Sequence, residues 1–443
     1  MSKLKRQVVC VLAILFLISS FTGCSNETKQ EGTNKNTANN EPIKISMTWW
    51  GDTKRNEVYN KVIDEFQAKN PNIKVDRPFG TWGQYFDKLS TQIAGGNAPD
   101  VIGMHQRYAA EYAARGALYD LKLLADKGYL DLKNIPDSVQ KSGYVNGKFY
   151  MIPQGITGTG VGYNTSTFDK LGISYPKMDW TWDEFVTKLK EVKTAADSKG
   201  IKMWASADFS NDIYNFSIWA RANGQHLFTD DGKLGFTEDA VVSWFKFWKD
   251  LRDQKLIPDG ATTTEYANLP LEQSMFATNK VAIAGVPASQ IGLYQNQVKD
   301  KGEINIVRFP HIQGQPNPEY ISGAFFTINA KSKHPEAAAK LVNFFINDTE
   351  GQKTFKIEQG VPAATTAVQS ISSLLSKPEL KSVDFIQNQL IKNASYEPYP
   401  PEGYNEISTN FNKIATAVSF NQETPEKGAA DFMKAATDIL SKN

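Results

Sequence analysis

Along residues 43–50, Ile43, Ile45, Met47 and Trp49 alternate with Lys44, Ser46, Thr48 and Trp50, the two-residue period of a strand. Tyr59, Val62, Ile63 and Phe66 then fall at i, i+3, i+4 and i+7, one face of a helix that Asn70-Pro71 ends. "NIKV" predicts a second strand, "YFDKLSTQIAGG" a helix with a glycine stop, and "PDVIGM" a third strand. Strand–helix–strand–helix–strand implies a parallel sheet covered by helices, with ligands at the carboxyl ends of its strands. Trp50 to Arg55, the loop Phe79–Tyr85 with Trp82, and His105 to Tyr108 all fall at such ends.

Farther along, the middle of the chain reads as mostly helical. Thr181 followed by Glu184 is a capping-box signature. "AVVSWFKFWKDLRD" is a helix whose Trp244, Phe245, Phe247 and Trp248 read as core. "KVAIAGVPAS" and "EINIVRFP" predict strands. "HPEAAAKLVNFFINDTEGQKTF" predicts one long helix with Ala338, Leu341, Val342 and Phe345 on one face. Helices return at the C-terminus.

The two adjacent tryptophans differ in parity. Trp49 shares the face of Ile45 and Met47 and points into the sheet packing. Trp50 takes the other face, beside Gly51 and Asp52, and is a candidate wall of a site. On that reading Trp50→Ala weakens ligand binding without unfolding the chain.

The N-terminus carries Lys3, Lys5 and Arg6, an apolar run from Val8 to Ser19, and then "SSFTGC". The run is too short for a comfortable membrane span. The pattern looks like a bacterial lipobox with Cys24 as the lipidated residue, although Phe21 stands where leucine is usual. Residues 1–23 are expected to leave as a lipoprotein signal peptide, taking three positive charges and changing the net charge from +1 to −2. Residues 24–41 hold almost no apolar side chains and read as a flexible tether reaching roughly 20–25 Å. Cys10 leaves with the signal, so Cys24 is the single thiol of the mature chain and no disulfide is expected.

With 22% charged and 41% apolar residues, the 443-residue chain has the composition of a globular protein. Its near-neutral balance gives no reason to expect nucleic acid as a partner. No nucleophile elbow, Walker loop or HExxH motif is present. "GITGTGVGY" (155–163) lacks GxGxxG spacing. The four histidines (His105, His226, His311, His334) show no metal-ligand spacing, and the turn at Asp231-Gly232 lacks the spaced carboxylates of a calcium loop. Neither cofactor, metal nor catalytic residue is expected. What remains is aromatic side chains beside polar groups at predicted loops. Ring faces suit the C–H face of a sugar, and charged or amide groups suit its hydroxyls.

"VIDEFQAKNPNIKV", "KLSTQIAGGNAPDVI", "ARGALYDL", "GKFYMIPQGITGTGVGYN", "WTWDEF", "NKVAIAGV", "FFTINAKSKHPEAAAKLVNFF" and "GVPA" span nearly all of 42–443. As an ordered set they resemble the bacterial extracellular solute-binding lipoproteins of family 1, the sugar-binding components of ABC importers, of the maltodextrin-binding type. The double tryptophan and "TWGQYFDKL" are most similar to members that bind rhamnogalacturonan and other pectin oligosaccharides. The resemblance implies a periplasmic-binding-protein-like (class II) α/β fold, with two α/β lobes, a hinge and an interlobe ligand cleft. It implies lobe one at 42–153 plus 286–326 and lobe two at 158–282 plus 330–443, with crossings near 153–158, 283–286 and 327–330. It also implies an oligosaccharide ligand, an ABC permease with its ATPase as partner, and a monomer lipid-anchored outside a Gram-positive type membrane.

Carried over residue by residue, Asp52 with Lys54 or Arg55 matches polar sugar contacts after the first strand. Arg107-Tyr108, preceded by His105 and Gln106, stands where maltodextrin-type members carry an Asp-Arg pair. That departure exchanges a carboxylate for a cation and suits an acidic sugar such as galacturonate. Asn211, Asp212 and Tyr214 match lobe-two contacts, and Tyr266 offers a stacking platform. Tyr396, Tyr399 and Tyr404 lie in the C-terminal segment that reaches the cleft; Trp82 and Tyr85 complete the candidates. The rival readings are a binding protein for a non-sugar solute and an enzyme acting on polysaccharide.

Overall fold

In the computed structural model, β1 (Ile43–Trp50) pairs in parallel with β2 (Ile73–Asp76), β3 (Phe79–Gly80) and β4 (Val101–His105). The structure describes residues 41–442 apart from 268, 299–301, 316–317 and 393–396. The signal segment, Cys24, the tether up to residue 40 and Tyr396 lie outside the described residues. A small hairpin, β5 (Tyr144–Val145) and β6 (Lys148–Phe149), precedes β7 (Ile152–Thr157). Gly158 then joins β7 to β8 (Thr159–Asn164), which lies in a second sheet with β9 (Trp204–Ser206), β10 (Val281–Pro287) and β11 (Ile304–Val307), in the order β11-β8-β10-β9. β12 (Ser322–Ile328) returns to the first sheet, antiparallel between β4 and β7.

This topology corrects the expected lobe boundaries. β11 hydrogen-bonds to β8 from Ile304↔Asn164 to Val307↔Val161, so 304–307 belongs to the second lobe and not the first. The helix Pro335–Asn347 belongs to the first lobe and not the second, because Phe345 packs on Tyr59 at 5.5 Å and on Phe326 at 5.2 Å. β10 runs through 283–286 inside the second sheet, and β12 occupies Ser322–Ile328 inside the first, so neither is a crossing. The chain passes between sheets at Gly158, near Ile321, and between the helices Thr365–Ile371 and Lys377–Asp384. Among the described residues, the first sheet and the helices packed on it draw on 42–157 and 322–371, and the second sheet and its helices on 159–320 and 377–442. Both lie in one compact unit, Pro42–Asn443.

The first lobe is built on the helix Thr53–Lys69, whose Tyr59, Val62, Ile63 and Phe66 are all buried. Trp49 stacks on Tyr59 with ring centroids 4.6 Å apart. Each such burial contributes about 1.5–3 kcal/mol. The other face of the same sheet is covered too, by a second apolar cluster containing Trp50, Tyr85, Phe86 and Tyr112. The long helix expected over 335–355 is two. Asp348 is extended and accepts from the backbone N–H groups of Glu350 and Gly351, starting a new helix Thr349–Phe355.

In the second lobe, Trp244, Phe245 and Trp248 are buried, and Phe247 packs at its edge against Trp182 and Trp219. Thr181 and Glu184 form the expected capping box. Near the second crossing, Glu319 is buried against Arg308 at 2.7 Å and accepts from Phe309 N at 2.9 Å, which fixes the strand leaving this lobe. Two glycines beside the first crossing are required by close approach. A Cβ on Gly155 would stand 2.7 Å from the backbone of Gln359, and one on Gly160 2.6 Å from the Val307 carbonyl oxygen. Among the described residues no helix is long and apolar enough to cross a membrane.

Candidate functional site

A cavity of about 450 Å³ opens where the chain crosses between the sheets. Its first-lobe wall begins at the carboxyl end of β4. His105 caps the helix Gln106–Ala114 by accepting from Arg107 N at 3.3 Å, and the first turn of that helix holds Gln106 and Arg107 at the cavity. The short helix Asp137–Lys141 adds Ser138 and Lys141. On the second-lobe side, Asp212 caps the helix Ile213–Ala222, accepting from Tyr214 N at 2.8 Å, and Tyr214 packs on Tyr320 at 5.3 Å. Phe228 meets Tyr404 edge-on at 5.9 Å.

The segment from Glu397 to Tyr404 closes the end of the cavity. Glu397 is anchored in the second lobe: Arg221 donates to it, His226 Nδ1 lies 2.9 Å away, and Leu227 N donates at 3.1 Å. Beyond it the segment reaches the first lobe. The Tyr399 hydroxyl donates to the Ser142 carbonyl, and Glu402 pairs with Arg115 at 3.2 Å. The Arg107 guanidinium stands 5.9 Å from the centre of the Tyr404 ring.

Burial dominates the electrostatics. It pushes the His105 imidazole down to about 3, helped by the Arg107 charge. It raises the Tyr404 hydroxyl to about 12 against the opposing pull of Arg107, and Tyr214 to about 12. Asp212 keeps surface open to the cavity, yet loss of water on its protein side raises its pKa. The Tyr214 N–H and Arg107 pull the other way.

His105 therefore makes stability pH-dependent in a stated direction. Its folded pKa lies below the ordinary value of 6.5, so the unfolded chain binds a proton that the folded chain refuses. Its neutral state costs nothing above pH 6.5, and stability erodes as pH falls from there toward 3. Chemical denaturation at pH 7 and pH 5 should show His105→Gln losing about 2 kcal/mol less than the parent over that interval. Equal losses would mean that His105 titrates normally in the folded chain.

Of the residues singled out from sequence, His105, Arg107, Asp212, Tyr214 and Tyr404 line the cavity together, with Gln106 and Tyr399. The others stand elsewhere. Trp50 is buried beneath Trp82, Tyr85, Phe86 and His105 and does not form the cavity wall. Asp52 is a helix cap, accepting from Arg55 N at 2.9 Å, and Lys54 is exposed on that helix. Arg55 pairs with Glu358 at 2.8 Å. The Tyr85 hydroxyl donates to the Gly103 carbonyl at 2.8 Å inside the sheet packing. Tyr108 stacks on Phe86 at 3.8 Å. The Asn211 carbonyl accepts from Asn412 at 3.1 Å. Tyr266 lies beside Lys280, which is 5.2 Å from its ring, away from the cavity. Trp82 is exposed, outside the cavity, with its ring 5.3 Å from that of His105.

Sequence reasoning missed Lys141, Ser142, Phe228, Tyr320 and Glu397. Tyr320 sits at a crossing placed elsewhere by the sequence, and Glu397 sits inside the "SYEPYPPEGYNEI" segment, where only the tyrosines were singled out. Nothing in "DSVQK" marks Lys141.

Two α/β lobes with a polar, aromatic-lined cavity between them define a protein that encloses a small solute by lobe closure. The chain belongs to the bacterial extracellular solute-binding protein family, whose model matches residues 50–352. A solved structure from Alicyclobacillus acidocaldarius, an extracellular solute-binding protein of family 1, is 31% identical with a TM-score of 0.75, covering 90% of this chain and 99% of that one. The maltooligosaccharide ABC transporter solute-binding lipoprotein of Streptococcus pneumoniae is 25% identical over 70% of this chain and 71% of its own length. A periplasmic oligogalacturonide-binding protein from Yersinia enterocolitica shares the fold, with a TM-score of 0.76 at 24% identity over 90% of this chain and 99% of that one.

Proposed function

We propose that this chain is the oligosaccharide-binding subunit of an ABC importer, held outside the cell membrane by a lipid on Cys24. A monomer closes its lobes on the sugar and presents it to the permease, whose ATPase drives transport. The observation that carries this reading is the cavity lining. Tyr214, Tyr320, Tyr399 and Tyr404 supply aromatic surface, while Arg107, Lys141 and Asp212 supply hydrogen-bonding groups between the lobes. The volume of about 450 Å³ falls within the ~300–1,000 Å³ typical of small-ligand sites. The Streptococcus pneumoniae relative and the lipobox-like N-terminus agree with it.

Charge favours an acidic sugar, such as a galacturonate oligomer. Among the described residues, neither Arg107 nor Lys141 has a carboxylate within ion-pair distance, while the Glu397 carboxylate is engaged by Arg221 and His226. Among the described residues the cavity therefore offers two cations on one wall against one carboxylate outside any ion pair, Asp212, which also caps the helix Ile213–Ala222.

A thermal-shift panel on the unit from Pro42 onward, using pectin-, xylan- and starch-derived oligosaccharides, tests this reading. A ligand at a hundredfold its Kd adds about 2.7 kcal/mol of stability. A raised melting temperature with acidic pectin fragments alone is expected. A response to neutral glucans alone would keep the sugar and discard the acidic preference. A response to a non-sugar solute in place of any sugar would overturn the reading.

A further inference from the structure

We infer that the segment from Glu397 to Tyr404 is a latch, with Tyr399 as its bolt, that holds the two lobes together across the cavity before any solute binds. Both ends of the segment belong to the second lobe. Glu397 is fixed there by Arg221, itself buried, and by the Leu227 N–H. Tyr404 is buried in the apolar cluster of that lobe, beside Phe228. Tyr399, between them, is seated in the other lobe. Its ring packs against the first-lobe cluster that contains Val145 and Met151, and its hydroxyl donates to the Ser142 carbonyl. The lobes cannot part unless this side chain withdraws.

The sequence makes the bolt stiff. "EPYPPEGY" places Pro398, Pro400 and Pro401 around Tyr399. Proline fixes its own φ and restricts the residue before it, so Glu397 and Tyr399 have few backbone states to lose on docking. Gly403, at φ +89°, then turns the chain into the helix Tyr404–Ser419. A stiff segment keeps contact energy that a flexible one would lose to ordering. Glu402 adds an ion pair with Arg115 of the first lobe at 3.2 Å, an arginine it shares with Glu111. That pair is exposed and screened by salt, so Tyr399 is the stronger attachment.

None of these contacts involves a solute. They therefore favour the closed arrangement whether the cavity is filled or not. The apparent Kd of a solute rises as the binding-competent fraction of the protein falls, so a latch that raises this fraction tightens binding without touching the solute.

Double electron–electron resonance on the unit Pro42–Asn443, with no solute added, tests this. The unit contains no cysteine, so spin labels on Lys133→Cys in the first lobe and Lys190→Cys in the second, both exposed positions, report the interlobe distance. The parent should show mainly the one distance of the latched arrangement. Tyr399→Ala should lower the ratio of that population to a longer-distance one by about tenfold. Tyr399→Phe, which keeps the ring and loses the bond to Ser142, should lower it by roughly threefold. Thermal melting followed by circular dichroism separates unlatched lobes, which keep their fold, from unfolded chain. Equal distributions in the parent and both variants, or a parent already dominated by the longer distance, would overturn the latch. Because no solute is present, either result would leave the sugar-binding reading standing.

Discussion

Trp50→Ala is expected to lower the stability of the folded unit by about 3–5 kcal/mol, the usual cost of deleting a buried tryptophan. Trp50 is 7% exposed and surrounded by four rings, from Trp82, Tyr85, Phe86 and His105, at 5.3–6.3 Å. Removing the indole leaves a cavity that the sheet beneath cannot close, because Gly103 of β4 packs there and a Cβ on it would already stand 3.4 Å from the Trp50 ring. Urea denaturation of parent and variant measures the effect as a lowered midpoint. This reverses the expectation drawn from strand parity, in which the same substitution weakens binding and spares the fold. A stability loss below about 1 kcal/mol with a large loss of affinity would return Trp50 to the cavity wall.

Arg107→Ala is expected to do the opposite. Arg107 is exposed, lies in the first turn of its helix, and has no ion pair to lose among the described residues. Surface substitutions of this kind change stability by about 0.5 kcal/mol or less. A charge-assisted hydrogen bond to a sugar carboxylate is worth about 1.5–3 kcal/mol, so affinity for an acidic oligosaccharide should fall by roughly 10- to 150-fold. Arg107→Lys should recover part of the loss, since it keeps the charge but not the forked geometry. Titration with an oligogalacturonide at low and at 0.5 M salt would check the electrostatic origin. Unchanged affinity in Arg107→Ala would remove the acidic-sugar preference.

The residues that behaved as their spacing predicts are those whose partners are local. Tyr59, Val62, Ile63 and Phe66 share a helix face, and Thr181 and Glu184 close one turn; both are settled within a few residues. What the spacing could not reveal depends on distant partners. Parity separates the two faces of β1 correctly, but both faces are covered, so it does not separate buried from exposed. Trp50 was misread for that reason. The strand 304–307 and the helix Pro335–Asn347 carry ordinary apolar patterns that fit either lobe; only the pairing of Ile304 with Asn164 and the contact of Phe345 with Tyr59 decide between them. The break at Asp348 was legible in principle, since aspartate is a good cap and the apolar face Ala338, Leu341, Val342 and Phe345 stops before it. Arg107 was legible because it follows the carboxyl end of a strand in a parallel sheet, where ligands sit, and Asp212 only through the family resemblance; in the structure Arg107 lies in the first turn of one helix and Asp212 caps another. Lys141 and Glu397 were missed because their place depends on where the chain crosses.

A crystal structure of the unit Pro42–Asn443 with a bound acidic oligosaccharide tests the central claim most directly. The expected result is a sugar ring between the lobes, its carboxylate within 3.2 Å of Arg107, a hydroxyl on Asp212, and Tyr404 against its face. Density for the sugar outside this cavity, or lobes closed on an uncharged solute that leaves Arg107 without a contact, would contradict it.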